Sequence, residues 1–327
     1  MLLKVFRYLK RNFKSVFLSL FLLFFIVVLA VFPDEYISSS FDGIKLFCLS
    51  VLPSLLPFFF LTGLLTKTGT LNVFSNKLTP ITRLLFRCNG ISAYAFIMSI
   101  LSGYPVGSRI IYDLKESGLI DGEEGTRMSV FCSTSGPLFV IGAVGTCMFL
   151  SKKIGFIIYL SHVLSALING LIFRSYGKSQ TTIRSRLAPK KDLNVLYESV
   201  YNAVISVLIV GGFVSVFYVF SDILYDFKIL LPLEKFFNQI FDEQTSIAIT
   251  KGLIECTKGC KMLSLNGGNK ISIALASSLI SFGGISIIAQ SIVYLKRAEV
   301  NVKIFIFAKF IQMITSFILT YLLSLFL

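Results

Sequence analysis

The sequence predicts an all-α polytopic membrane protein, arranged as an inverted repeat with two re-entrant hairpins and two broken helices. Three observations carry that class. First, 55% of the 327 residues are apolar and 15% charged, whereas soluble domains have roughly 45–50% and about 25%, and the mean hydropathy is +0.80. Second, apolar runs long enough to cross a bilayer alternate with shorter or Gly/Pro-interrupted ones. Third, the order of these runs recurs along the chain. The formal net charge of +14 would suggest a nucleic-acid partner in a soluble protein. In a membrane protein the same surplus marks the basic loops that hold topology, so no nucleic-acid partner is expected. Six Cys are scattered with no CxxC pair, which reads as small buried residues and no metal site.

A spanning helix needs about 17 to 25 predominantly apolar residues, and Ser15 to Phe32 meets that length without a charge. Lys4, Arg7, Lys10, Arg11 and Lys14 precede it, and Asp34, Glu35 and Asp42 follow. The positive-inside rule therefore places the N-terminus in the cytoplasm. A cleaved signal peptide is the rival reading, but the run exceeds the usual h-region and no A-x-A-like site follows. Residues 1–43 are thus assigned to an N-terminal helix and an acidic external loop. Residues 44–173 form a first repeat. It opens with a span over Ile44 to Leu65 that Pro53 and Pro57 should kink. An amphipathic stretch, Leu71 to Arg87, then suits a helix lying at the inner interface.

Ile91 to Leu101 is apolar but only half the length of a span, and it ends in Ser102-Gly103-Tyr104-Pro105-Val106-Gly107-Ser108 before Arg109 to Glu116 leads back to charged residues. This pattern describes a re-entrant hairpin, which is tolerated only where it is buried in protein or faces a wet cavity. Arg127 to Leu150 is long enough to cross but is broken by Ser133-Thr134-Ser135-Gly136-Pro137. Its second half should begin near Pro137, because Pro suits a helix start and not its interior. A clean span, Ile154 to Phe173, closes the unit, and residues 174–194 read as a basic cytoplasmic linker.

Residues 195–327 repeat this order. A span over Val195 to Leu224 is followed by an acidic loop at 222–243, then a short arm ending in Gly252-Leu253-Ile254-Glu255-Cys256-Thr257-Lys258-Gly259. A span broken at Ser281-Phe282-Gly283-Gly284 runs from Ile271 to Leu295, and a last span from Ile304 to Phe326. Gly136-Pro137 and Gly283-Gly284 lie 147 positions apart, as do His162 and Lys309. Three crossings per unit make successive units face opposite ways. Inverted repeats with broken helices meeting at the midplane are the architecture of secondary transporters.

The interruptions are the candidate substrate site: Ser102, Gly103, Tyr104, Pro105, Gly107, Ser108 and Arg109 at the first hairpin, Ser133, Thr134, Ser135, Gly136 and Pro137 at the first break, Glu255, Thr257, Lys258 and Gly259 at the second hairpin, and Ser281, Gly283 and Gly284 at the second break. Half-helix N-termini after Gly107, Pro137 and Gly284 would direct free N–H groups at an anionic or strongly polar solute. Close helix packing is the alternative use of each small residue. Glu255 is costly at membrane depth, about 2.5–3.5 kcal/mol on insertion scales. It should bind a substrate proton donor, bind a coupling cation, or pair with Lys258 or Lys309. His162 and Lys309 are candidates for coupling, H+ or Na+ being left open, although a lone His is more often a packing residue. No cofactor or enzymatic motif is expected.

The motifs Ser102-Gly103-Tyr104-Pro105-Val106-Gly107, Ser135-Gly136-Pro137-Leu138-Phe139, Gly142-Ala143-Val144-Gly145 and Leu52-Pro53-Ser54-Leu55-Leu56-Pro57-Phe58 resemble those of YlbJ-type sporulation integral membrane proteins, of the nucleoside-recognition (Gate) superfamily. The resemblance extends from about Ile44 to the end, with Glu255-Cys256-Thr257-Lys258-Gly259 as its best match in the second half. It implies a multi-pass protein of endospore-forming bacteria, in the outer forespore or cell membrane, needed for spore maturation. It also implies a fold resembling concentrative nucleoside transporters and movement of dipicolinate, a small aromatic dicarboxylate. The expected function is secondary-type transport of that anion, with a nucleoside-type permease and a non-transporting scaffold for spore-envelope assembly as alternatives. Expected partners are the small anionic solute, the lipid bilayer, and either a second copy of the chain or other sporulation membrane proteins.

Overall fold

In the computed structural model residues 13–67, 70–177 and 194–326 are described, and these are helical with no strand among them. Lys4, Arg7, Lys10 and Arg11 and linker residues 178–193 lie outside the described set. The first helix, α1 (Phe13–Val31), is all apolar in its second half. The acidic stretch 34–42, expected as a loop, is instead most of a helix, α2 (Pro33–Leu46), with Pro33 at its start and Asp34 and Glu35 in its first turn. A proline at the start and early acids both favour a helix N-terminus, and the apolar-length criterion was blind to them. A turn of wider π winding, Phe47–Val51, leads into α3 (Leu52–Lys67). That wider turn immediately precedes Pro53, whose missing N–H and ring crowding fall on the turn before it.

The next helix, α4 (Thr70–Phe86), meets α5 (Ile91–Ser102) at a bend of 85°. After Gly103-Tyr104-Pro105 the chain returns as α6 (Val106–Glu116), packed on α5. The stretch expected to be the first broken span comprises two short helices, α7 (Gly122–Ser129) and α8 (Leu138–Met148), the latter in π winding. Residues 130–136 between them are non-helical, and Pro137 already has helical dihedrals. A clean helix, α9 (Lys152–Ile172), follows. The second half holds α10 (Val195–Asp226), α11 (Leu231–Phe237), the packed pair α12 (Glu243–Ile254) and α13 (Cys256–Leu265), then α14 (Lys270–Phe282), α15 (Gly284–Arg297) and α16 (Val302–Leu323).

Two expectations need correction. The acidic segment 222–243 is not one loop, because Asp222 and Asp226 end α10 and Glu234 lies on α11. The two breaks are also unequal: the first opens over seven residues, 130–136, whereas the second is confined to Gly283. Pro137 forbids the helix from continuing N-terminally, while Gly283 only permits a local left-handed turn.

Four helical stretches among the described residues are long and apolar enough to cross a membrane, and up to six if two bent pairs each count as one. Their outer faces carry large apolar side chains in the open, such as Leu20, Ile26, Leu208 and Ile314. A soluble protein would not leave such a contiguous apolar surface to water, so this is an integral membrane protein with several spanning helices. One core cluster joins α3, α8 and α10 to α12, α13 and α14, and the other joins α5, α6 and the first break to α15 and α16. Helix α6 packs on α15 and α13 on α8, while α9 packs on α16 and α3 on α10.

Candidate functional site

The two hairpin tips and the two breaks converge at the centre of the molecule. Hairpin one turns at Gly103, whose φ of +81° is readily available only to glycine. A Cβ there would lie 2.6 Å from the Gly136 nitrogen, so the tip rests directly on the first break. Hairpin two meets the second break in the same manner. A Cβ on Gly284 would lie 3.1 Å from the Ile254 carbonyl and 3.2 Å from the Cys256 nitrogen. Each tip therefore sits on the interruption of its own half, because glycine on at least one side allows backbone to approach backbone.

A small chamber lies among these elements, lined by Gly103, Tyr104, Ser135, Gly136, Glu255 and Thr257 with Gln290, and closed by Val51, Leu55, Phe139, Val210, Val214 and Ile287. Six of the residues singled out from the sequence thus share one wall. It encloses about 40 Å³, close to the share of a single liquid water, about 30 Å³. Glu255 is buried and accepts from the Thr257 hydroxyl at 2.9 Å and the Lys258 backbone N–H at 2.7 Å. It caps the N-terminus of α13, where a carboxylate is favoured by free N–H groups and the helix dipole. Of the three uses open to it, pairing with a lysine ammonium is not the one adopted.

Lys258 points elsewhere. Its ammonium meets Asp222 at 2.5 Å and lies over the Tyr218 ring, and Lys251 meets the same carboxylate at 2.7 Å. Ser39 of α2 donates to the other Asp222 oxygen at 2.6 Å. Asp222 therefore ties both arms of hairpin two to α10 and α2, and Lys258 is not available to offset a substrate charge in the chamber. Gly259 packs inside the hairpin against Gly252.

Lys309 is fully buried and donates to the Tyr104 hydroxyl at 2.7 Å, the Ser133 carbonyl at 3.0 Å and the Gln312 side-chain oxygen at 3.0 Å. Three acceptors match the three donors of an ammonium. From α16 it thus clamps the first hairpin to the first break. His162, also fully buried, accepts the Ser135 N–H on Nε2 at 2.8 Å. Its proton then resides on Nδ1, which contacts the Ser281 hydroxyl at 2.8 Å, so the neutral ring bridges the two breaks. His162 and Lys309 act as braces one layer behind the chamber, and neither lines it.

The remaining candidates divide by place. Ser102 and Ser133 are buried with hydroxyl oxygens lacking a partner among the described residues. Thr134 is held by Ser99, which contacts its hydroxyl at 2.7 Å and accepts its N–H at 3.1 Å. Pro105 and Pro137 flank the tip and the break as helix N-caps, Gly107 lies against the Cys132 carbonyl, and Ser108 is buried on α6. Arg109 does not reach the chamber and lines a separate cavity. Sequence reasoning missed Ser99, Asp222 and Gln290. Gln290 carries a buried side-chain oxygen without a partner among the described residues, and an amide within an apolar run six residues past Gly284 was a usable signal. At the outer end of hairpin two, Asp242 caps α12 and accepts from the backbone N–H and hydroxyl of Thr245, which hold its carboxyl below the usual range.

Residues 48–153, spanning α3 through the first broken span, match the Gate family, described as nucleoside recognition. The chain is 29% identical over 325 residues to the sporulation integral membrane protein YlbJ of Bacillus subtilis (strain 168), covering 91% of this chain and 80% of that protein. No solved structure matches the chain. The similarity to YlbJ-type sporulation membrane proteins read from the motifs thus runs along nine-tenths of the chain, and hairpin one and the first broken helix lie within a nucleoside-recognition Gate region.

Proposed function

We propose that this protein is a secondary-type transporter that carries a small polar organic solute by alternating access between two inverted halves. The observation that carries the reading is the chamber walled by both hairpin tips, the first break and α15 just past the second break, whose own residues Ser281, Gly283 and Gly284 lie behind it. Reciprocal packing supports the repeat: α6 on α15 answers α13 on α8, and equivalent helices α9 and α16, and α3 and α10, pack on one another. The chain ends support the inversion. The open end of hairpin one lies with 298–301, through Lys115 and Glu299 at 2.5 Å, whereas the open end of hairpin two lies with 149–151, through Gly268 and Phe149. This arrangement resembles concentrative nucleoside transporters, and such carriers bind solute where discontinuous helices converge.

Dipicolinate moving across the outer forespore membrane is the substrate that the family resemblance suggests, with the N-terminus cytoplasmic by the positive-inside rule. The chamber, at about 40 Å³, is far below the roughly 300–1,000 Å³ of sites for drug-sized ligands. It must open to admit any organic solute, as a closed intermediate of a carrier would. A nucleoside is the second reading, favoured by the acceptors Glu255 and Gln290 on the chamber wall, which suit a solute rich in N–H and O–H groups. The role is transport without covalent chemistry or a resident cofactor.

Uptake into vesicles reconstituted with the full chain tests the proposal. Radiolabelled dipicolinate or nucleoside should enter above the rate of empty vesicles, and Glu255→Gln should cut uptake at least about 10-fold while insertion and yield stay normal. Entry of neither solute would overturn the reading in favour of a scaffold.

A further inference from the structure

A second, larger cavity of about 230 Å³ lies between hairpin one, α3 and α10. On α10 its wall is the stripe Ser199, Asn202, Ala203 and Ser206, the i, i+3, i+4, i+7 positions of one helical face. The same face continues into Val210 and Val214 at the central chamber, and α3 likewise supplies Phe59 and Gly63 here and Val51 and Leu55 there. The two cavities are therefore stacked along the same pair of helices, about 10 Å apart for seven residues of helix. Leu55, Phe59 and Val207, all buried in one core cluster, lie between those levels. Arg109 and Asn202, both exposed, line the larger cavity, and neither side chain makes a hydrogen bond or ion pair among the described residues. Phe59, Tyr94 and Met98 give it an apolar wall.

We infer that this cavity is an outer binding site for a small organic carboxylate with an apolar or aromatic body, occupied before the solute passes the Phe59 constriction to the chamber. The inference deepens the transport reading and rests on it for the direction of passage, but not for binding itself. A guanidinium with free donors matches a carboxylate in a planar, bidentate fork, and Asn202 offers further amide donors. Asp113 also lines the cavity, one helical turn beyond Arg109 toward the open end of the hairpin. Its carboxylate acts on Arg109 through space and repels negative charge placed on its own side of the guanidinium. The pair therefore suits a solute that presents one carboxylate to the guanidinium and carries any second one at the far end of its body, and disfavours groups that concentrate two charges on one centre, such as phosphate esters.

The site can be read by cysteine protection in full-length protein, with the exposed Cys48 and Cys147 replaced by Ser and Ser206→Cys added as the reporter. A neutral maleimide should label the reporter, and dipicolinate should slow labelling at concentrations at least about 10-fold below those needed by its uncharged diamide. Arg109→Gln should raise the half-protecting dipicolinate concentration by about 10-fold or more, and Asp113→Asn should extend protection to a nucleoside monophosphate. Absence of protection, or equal protection in Arg109→Gln, overturns the inference even where vesicle uptake proceeds. Protection that depends on Arg109 in a protein that takes up no solute would uphold the site and remove the transport reading.

Discussion

At the scale of single residues, the groups that brace the chamber, His162 and Lys309, are matched donor for acceptor, whereas Ser102, Ser133 and Gln290 each keep a buried oxygen without a partner among the described residues. His162 is the clearest case, because its ring takes an N–H from the first break and contacts a hydroxyl of the second. Replacing it by Phe leaves the Ser135 N–H unpaired in an apolar surrounding, at a cost of about 1–3 kcal/mol. His162→Phe should therefore lower the thermal midpoint in detergent, while His162→Gln, whose amide oxygen and nitrogen restore an acceptor and a donor, should recover much of the loss. An unchanged midpoint for the Phe variant would show that the bridge contributes nothing. The same matching explains how a lysine sits fully buried at position 309: each of its three hydrogens meets an oxygen at 2.7 to 3.0 Å. Only Gln312, three residues on along the same helix, is local; Tyr104 and Ser133 are 205 and 176 residues away and could not be named from local sequence.

At the scale of elements, the hairpins depend on backbone contact at their tips and on caps at their ends. Gly103→Ala must place a Cβ against the Gly136 nitrogen while holding a left-handed φ, two penalties that act together. We expect a loss of about 2–4 kcal/mol or failure to yield monodisperse protein, whereas Gly142→Ala, with open space at its Cβ, should be neutral or slightly stabilising. Size-exclusion profiles and thermal midpoints of the two variants check this. Hairpin two carries a pH signature at its outer end. The Asp242 carboxyl is held low by the N–H and hydroxyl of Thr245, so its cap contribution is present above the unfolded carboxyl range, about 3.9, and is lost as pH falls through the lower folded value. Midpoints of wild type and Asp242→Ala should therefore differ at neutral pH and converge at the acid end, and a constant difference would refute the cap. The position of this hairpin arm follows from its short apolar length, but the Asp222 clamp that secures both arms joins residues 29 and 36 apart, beyond any helical period.

At the scale of the whole molecule, inversion of the two halves predicts opposite accessibility of the two hairpin mouths. Single cysteines at Gly118, beside the mouth of hairpin one, and at Gly267, beside that of hairpin two, should react with a membrane-impermeant maleimide from opposite sides of sealed vesicles. Labelling from the same side would exclude the inverted arrangement. Charge alone is a weaker guide than the sequence suggested. Lys228 and Lys235 lie within the acidic segment 222–243, and Lys261 on α13 and Lys270 at the start of α14 flank the open end of hairpin two, in addition to Lys152 and Lys153. Basic residues still concentrate at the other mouth, where Arg87, Arg127 and Arg174 accompany Lys296, Arg297 and Lys303.

The sequence by itself determined the membrane class, its helical character, and where the helices are interrupted at Gly103, 133–136 and Gly283. These are local properties: run length against bilayer thickness, and the backbone limits of Gly and Pro, act over a few residues. Composition rules worked less well where they stood in for structure, as in the acidic stretch that forms α2. Only the tertiary structure decided that Glu255 caps α13 and takes no ammonium, that Lys258 serves Asp222, and that Arg109 belongs to an outer cavity. It also divided the expected site residues between a chamber of about 40 Å³ and a separate cavity of about 230 Å³. Such outcomes depend on which helices pack together, and the partners of a buried polar group are those that packing brings to it from distant parts of the chain.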